Sequence, residues 1–128
     1  MDAPTYSRAV HIRFEDGAGL LTVSFEGTVG RDDLAHARAR LVETVGERAV
    51  SGVVLDARRS KPAYNAADLI ESVELTLDDI APKRCAFVSL EPRSEALMLI
   101  ETVSFPYAVR VQAFTDMDLA RDWVLAAS

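Results

Sequence analysis

Residues 52–59 read Gly-Val-Val-Leu-Asp-Ala-Arg-Arg, and the fold is organised around this stretch. Val53, Val54 and Leu55 are consecutive apolar residues without polar alternation, which is typical of a strand covered on both faces in a parallel sheet. Charged residues follow directly, beginning with Asp56. Ligands and partners of open α/β sheets meet the loops at the carboxyl ends of such strands. The sequence therefore predicts a central strand here and a functional surface in the loop that follows it.

Length and composition predict a single domain over residues 1–128, in which 49% hydrophobic residues supply the core. The apolar runs are shorter than the roughly 20 residues of a membrane-spanning helix, and the polar start Met-Asp-Ala-Pro does not resemble a signal peptide. The single cysteine, Cys85, cannot form an internal disulfide. We therefore predict a cytoplasmic protein that does not cross a membrane. Its formal net charge of −6 argues against nucleic acid as a partner.

Period-two alternation predicts an N-terminal antiparallel hairpin. Its first strand covers residues 9–15, a turn follows at residues 16–19, and the second strand leaves the sheet at residues 27–30. Residues 85–90 are nearly all apolar and predict a second interior strand. The alternation of Val109, Val111 and Ala113 with polar residues predicts an edge strand.

Apolar residues recur at helical spacing in four segments. These stripes are Leu34, Ala37, Leu41, Val42 and Val45; Leu69, Ile70, Val73 and Leu77; Leu97, Ile100 and Val103; and Leu119, Ala120, Trp123 and Val124. Asn65 and Ser94 are expected to cap the second and third helices, and Thr115 with Asp118 has capping-box spacing before the fourth. The predicted order is β-β-α-β-α-β-α-β-α, and right-handed crossovers turn it into a βα superhelix.

Two stretches carry a resemblance to a known family. Val53-Val54-Leu55-Asp56 leads into a loop and a helix, and Val111-Gln112-Ala113-Phe114-Thr115-Asp116 precedes a final helix that contains Ala120 and Trp123. With the element order, this resembles the SpoIIAA-like fold and the anti-sigma factor antagonist (STAS) domains that define it, and more closely the small bacterial STAS/SEC14-like proteins. The resemblance covers most of the chain and implies an α/β fold: a βα superhelix with a mixed five-stranded sheet, an N-terminal antiparallel hairpin and about four helices.

The resemblance also implies a function, that of a non-catalytic regulatory module that binds another protein. In the phosphoregulated antagonists, the loop after the Asp-ending strand carries Asp-Ser-Ser-Gly at the start of the next helix, and a kinase phosphorylates one serine. Here the matching stretch is Tyr64-Asn65-Ala66-Ala67, with no hydroxyl at either serine position. Asn65 can cap the helix but cannot be phosphorylated, so we predict a module without the phosphoserine switch.

An alternative function follows from the SEC14 half of the family label, which implies a carrier of a small apolar or lipid-like ligand. The residues that could line its pocket near the strand ends are Tyr64, Leu77, Phe105 and Tyr107. Both functions remain open at this point.

The predicted binding site for a protein partner or an anion is the charged loop after the central strand. It comprises Asp56, Arg58, Arg59, Lys61, Tyr64 and Asn65. Three cations precede a helix N-terminus there, and the unpaired N–H groups of such an end also attract anions. The alternative is that Arg58 or Arg59 pairs with Asp56 and the loop is merely solvated.

No residue cluster indicates catalysis, a cofactor or a metal. His11 and His36 lack neighbours at zinc-ligand spacing, Cys85 is expected to be a buried and unreactive thiol, and the adjacent pair Asp78 and Asp79 does not form an acid–base pair. We therefore predict that the protein is not an enzyme.

Self-association is expected as well. Thr22, Ser24, Arg110 and Gln112 should lie on a sheet face that the helices leave uncovered. A homodimer would cover that face.

Overall fold

The computed structural model describes residues 10–91 and 94–126. Its strands are β1 (Val10–Glu15), β2 (Leu20–Val29), β3 (Gly52–Pro62), β4 (Arg84–Val88) and β5 (Arg110–Phe114). Its helices are α1 (Arg31–Val45), α2 (Ala66–Asp79), α3 (Glu95–Ser104) and α4 (Met117–Leu125), and a 3-10 turn at Phe105–Tyr107 follows α3. The predicted order of elements is confirmed. The polar start at residues 1–4, and Pro92 and Arg93 of the turn before α3, lie outside the described residues.

The strands form one mixed sheet in the order β1-β2-β3-β4-β5. β1 and β2 are antiparallel, as the hairpin prediction required, and every later pair is parallel. The hairpin turns at Gly19, whose φ of 63° lies in the left-handed region that favours glycine. β3 is the middle strand, and β5 is an edge strand as predicted.

Helices pack on both faces of the sheet. On one face, called here the three-helix face, α1, α2 and α3 cover odd-numbered residues such as Val23, Val53 and Phe87. On the other, the α4 face, Ala120 and Val124 of α4 pack against Val54 and its neighbours. Because α4 contacts β3, β4 and β5, no helix in residues 10–91 and 94–126 covers the β1–β2 side of its face.

Side-chain caps fix where the helices begin. Asn65 accepts a hydrogen bond from the Asp68 amide at 2.8 Å, and Ser94 accepts one from the Leu97 amide at 3.1 Å, so both predicted caps are confirmed. The prediction for α4 was wrong by one residue. Asp116, rather than Thr115, is the cap, because its Oδ1 accepts from the Leu119 amide at 3.0 Å.

The predicted apolar stripe of α4 also needs correction. Leu119 is 61% exposed, because the buried face of α4 is centred on Ala120 and Val124. Trp123 is only partly buried: its ring lies 5.7 Å from that of Phe114, and the Arg84 guanidinium lies 4.8 Å from its centroid. Val42 of the α1 stripe is likewise partly exposed, at 38%.

The central strand is longer than its apolar core. β3 continues through Pro62 and β2 continues through Val29, so the predictions of a loop after Asp56 and of a strand exit at Gly27 were wrong. The two strands stay paired beyond the end of β4, after a β-bulge between Ser24 and Glu26. The paired residues 26–29 and 59–62 are called here the β2–β3 ribbon.

None of the helices in residues 10–91 and 94–126 combines the length and the apolar character that crossing a bilayer requires.

Candidate functional site: the charged end of the central strand

Asp56 and Arg58 form a closed ion pair where β3 leaves β4. The Arg58 guanidinium donates to both carboxylate oxygens, from Nε at 2.9 Å and from NH2 at 3.0 Å, and the Arg58 amide adds a bond at 3.1 Å. Burial alone would raise the pKa of Asp56, but these hydrogen bonds and the charge of Arg58 together lower it below its ordinary value. The same bonds raise the pKa of Arg58. Arg58 is therefore held in place by Asp56. This pairing is the alternative to a binding role that the sequence left open for Arg58.

Arg59 and Lys61 project from the β2–β3 ribbon on the α4 face. They are opposite Glu26 and Thr28 in the register, and residues paired in this way share a face of the sheet. The Arg59 side chain is 78% exposed and its NH1 lies 3.6 Å from Glu26. Lys61 is exposed and forms no ion pair with any residue in the described ranges. Two exposed cations therefore stand on a two-stranded support.

A second exposed pair borders these cations. The Nε2 of His11 lies 3.4 Å from the Glu26 carboxylate, so Glu26 is shared between His11 and Arg59. Such exposed pairs contribute little to stability. Glu26 therefore orients the side chains of His11 and Arg59, but this one carboxylate does not neutralise both Arg59 and Lys61.

The open part of the α4 face continues this polar surface across β1 and β2. His11 is opposite Ser24, Arg13 is opposite Thr22, and Ser24 is in turn opposite Asp56. At the margin of α4, both guanidinium NH groups of Arg121 donate to the Glu15 carboxylate at 2.5 and 2.7 Å, and these bonds lower the pKa of Glu15. We define the open polar surface as the β2–β3 ribbon together with this β1–β2 region.

The structure does not bring all six predicted site residues together. Tyr64 is partly buried on the three-helix face, where burial raises its pKa, and Asn65 is engaged in a capping box with Asp68. The first turn of α2 already has the Asp68 carboxylate, which accepts from the Asn65 amide at 3.1 Å. Arg59 and Lys61 point to the opposite face. The cations Arg59 and Lys61 therefore lie on a different face from Tyr64, and the binding site itself stays a prediction.

A cavity of about 130 Å³ lies between the sheet and the helices of the three-helix face. Tyr64 and Leu77 are among its lining residues, as the carrier alternative required. Phe105 is 83% exposed, and the Tyr107 hydroxyl donates to Asp78 at 2.8 Å; neither lines the cavity. Two of the four predicted pocket residues therefore lie outside the cavity, in the 3-10 turn that follows α3.

Three other residues that the sequence analysis considered as candidates, Cys85, Asp78 and Asp79, are buried or bonded to neighbouring side chains. Cys85 is buried, and burial raises its pKa to about 12, which keeps it a neutral thiol. Asp78 and Asp79 have different partners, Tyr107 and Arg38. Within residues 10–91 and 94–126, no three His, Cys, Asp or Glu side chains are grouped as a metal would need.

The sheet order, the N-terminal hairpin and the four helices define a SpoIIAA-like α/β fold, which confirms the resemblance at the level of fold. An uncharacterised protein of the DUF3478 family from Shewanella loihica PV-4, itself described as SpoIIAA-like, superposes with a TM-score of 0.64. The match covers 91% of this chain and 92% of that one, at 15% sequence identity.

The anti-sigma factor antagonist SpoIIAA has the same architecture. Its unphosphorylated form gives a TM-score of 0.60 at 12% identity, over 92% of this chain and 97% of that one. The phosphorylated form of this Bacillus cell fate determinant gives 0.57 at 12% identity, over 91% and 99%. At such identities the likeness establishes the fold alone. No protein-family model and no curated protein matches the sequence.

Sequence reasoning missed Glu26 and dismissed His11 as an ordinary surface residue. The hairpin register was a usable signal, because it places His11 opposite Ser24, two residues from Glu26 on the same face of the sheet. The contact of Glu26 with Arg59 had no such signal, since it depends on the β-bulge.

Proposed function

We propose that the protein is a non-catalytic regulatory module that binds an acidic segment of a partner protein through the open polar surface. The observation that carries the proposal is the pair of exposed cations, Arg59 and Lys61, on the paired strands of the β2–β3 ribbon. The fold supports it, because SpoIIAA is an anti-sigma factor antagonist. We further propose that the chain is a single-domain bacterial protein located in the cytoplasm.

The arrangement suits recognition better than catalysis. The two cations add a local positive field to a chain whose net charge is −6, and such a field steers an acidic partner towards one orientation. The Asp56–Arg58 pair stiffens the point where the ribbon leaves the sheet, so less conformational freedom is lost on binding.

The proposed module works without phosphorylation at the start of α2. Asn65 and Ala66 stand there, and the hydroxyl of the nearest upstream serine, Ser60, donates to the Ala57 carbonyl at 3.0 Å on the three-helix side. Control would then lie in partner availability or in the partner's own modification.

The test is capture of a host protein by the immobilised chain, compared with the double variant Arg59→Glu and Lys61→Glu. Arg58 is left intact, because its replacement would also remove the partner of Asp56. We expect the variant to lose stoichiometric capture while its melting temperature stays within a few degrees of the wild type.

A matched control is available at the other end of the sheet. Lys83→Glu with Arg110→Glu changes the net charge by the same amount on exposed residues at the N-terminal ends of β4 and β5. This control should capture the partner normally. Equal loss in both double variants would show that only the net charge matters and would refute a localised surface.

A further inference from the structure

The cavity on the three-helix face has the features of a small-molecule site. It lies between β2, β3 and β4 on one side and α1, α2 and α3 on the other, with a volume of about 130 Å³. Leu41, Val53, Leu69, Phe87 and Ile100 contribute to its largely apolar walls. The cavity lies on the opposite face of the sheet from the open polar surface. A ligand in the cavity is therefore proposed independently of the protein partner.

One buried polar atom of a residue that lines this cavity has no hydrogen-bond partner among the described residues. Arg38 of α1 lines it, and the Nε of Arg38 is buried without a hydrogen-bond acceptor in residues 10–91 and 94–126. The same guanidinium uses NH2 to donate to Asp79 at 2.7 Å. Buried polar groups in proteins are nearly always satisfied, so an unpaired N–H beside a cavity indicates where an acceptor belongs.

We propose that this cavity binds a compact, neutral, apolar molecule that carries one acceptor oxygen, and that the oxygen accepts from Nε of Arg38. The charge follows from Asp79, which already balances the guanidinium; a carboxylate ligand would set two negative charges around one cation. The neutral thiol of Cys85, which also lines the cavity, adds no charge.

The volume sets the size of the ligand. An apolar protein cavity of about 150 Å³ accepts benzene, whereas drug-sized ligands occupy pockets of about 300–1,000 Å³. A cavity of about 130 Å³ therefore suits one aromatic ring or a short branched chain, and a lipid does not fit.

Two of the hydroxyls that line the cavity already donate to backbone carbonyls, whereas the buried Nε of Arg38 has no acceptor in residues 10–91 and 94–126. The Ser60 hydroxyl donates to the Ala57 carbonyl at 3.0 Å, and the Thr76 hydroxyl donates to the Ser72 carbonyl at 2.7 Å. A ligand with the acceptor should therefore bind more tightly than the same hydrocarbon without it.

The experiment titrates the folded chain with three probes of one shape: acetophenone, ethylbenzene and benzoate. Methyl resonances of Leu41, Val53 and Leu69 report binding by NMR. We expect saturable shifts with acetophenone, about tenfold weaker binding of ethylbenzene, and weaker binding of benzoate than of acetophenone. Absence of saturable shifts with acetophenone, or equal affinity for acetophenone and ethylbenzene, would overturn the proposal.

Two variants separate the cavity from the acceptor site. Arg38→Met should remove the preference for acetophenone over ethylbenzene and leave ethylbenzene binding unchanged. Ser72→Leu places a larger side chain on the cavity wall and should abolish binding of both, whereas Glu71→Leu, the neighbouring exposed position, should not. A preference that persists in Arg38→Met would refute the role of Nε even if Ser72→Leu failed to fold.

Discussion

Gly52, at the start of the central strand, allows a sharp test of how α4 is packed on the sheet. A Cβ added at this position would lie 2.0 Å from Cγ1 of Val124, far inside any real contact. Val124 is 3% exposed and belongs to the core of the α4 face. We therefore expect Gly52→Ala to force α4 away from β3 and to lower the free energy of unfolding by about 1–3 kcal/mol, the usual cost of overpacking.

The same geometry predicts a rescue. Val124→Ala alone should cost about 2 kcal/mol, because it removes two buried methyl groups at about 0.8 kcal/mol each and leaves a small cavity. In the double variant the new methyl group occupies that space, since Cβ of Val124 lies 3.5 Å from the added Cβ, which is an ordinary contact. The double variant should therefore be more stable than the sum of the two single changes by about 1–3 kcal/mol.

Urea unfolding followed by circular dichroism measures this double-mutant cycle. Gly17→Ala serves as the control, because no atom of the described residues other than its chain neighbours lies within 4 Å of its added Cβ. It should change stability by less than about 0.5 kcal/mol. Costs that add within about 0.5 kcal/mol in the double variant would refute the packing of α4 against the start of β3.

Three further outcomes follow from the structure. Trp123→Ala should cost about 2 kcal/mol in a thermal melt, less than the 3–5 kcal/mol of a fully buried aromatic residue, because the ring is only partly buried; an unchanged melting temperature would contradict its contact with Phe114. Asp56→Asn should lower stability at pH 7 by about 1 kcal/mol. Because the folded pKa of Asp56 is below the ordinary 3.8, its stabilisation is present above that value and is lost as pH falls through the folded pKa. The gap between wild type and Asp56→Asn should therefore narrow in acid unfolding curves below pH 3.8, and a gap that stays constant to pH 2 would count against the ion pair. The homodimer stays a prediction: sedimentation at micromolar concentration should show a dimer, and monomer alone would contradict it.

Much of the fold could be predicted because its signals are local. The period of the apolar residues separates strands from helices, and Asn65 and Ser94 mark helix starts through hydrogen bonds that span three residues. The start of α4 was misplaced because Thr115 and Asp116 are both good caps. Choosing between them requires the position of the helix on the sheet.

The candidate site was harder to predict because it depends on pairing between distant strands. Arg58, Arg59 and Lys61 look like loop residues, since an exposed ribbon needs no apolar alternation. Only the continued pairing with residues 26–29 makes them part of a strand, and the bulge decides their faces. The cavity beside Arg38 likewise arises from the packing of three strands and three helices and has no local signature.

The central claim is that a partner protein contacts the open polar surface on the α4 face. Site-specific photo-crosslinking tests it most directly, with benzoylphenylalanine in place of Thr28, which is exposed and opposite Lys61. Thr102, exposed on α3 on the three-helix face, provides the matched control position. The account predicts a crosslink to the captured partner from position 28 and none from position 102. A crosslink from position 102 alone would contradict it.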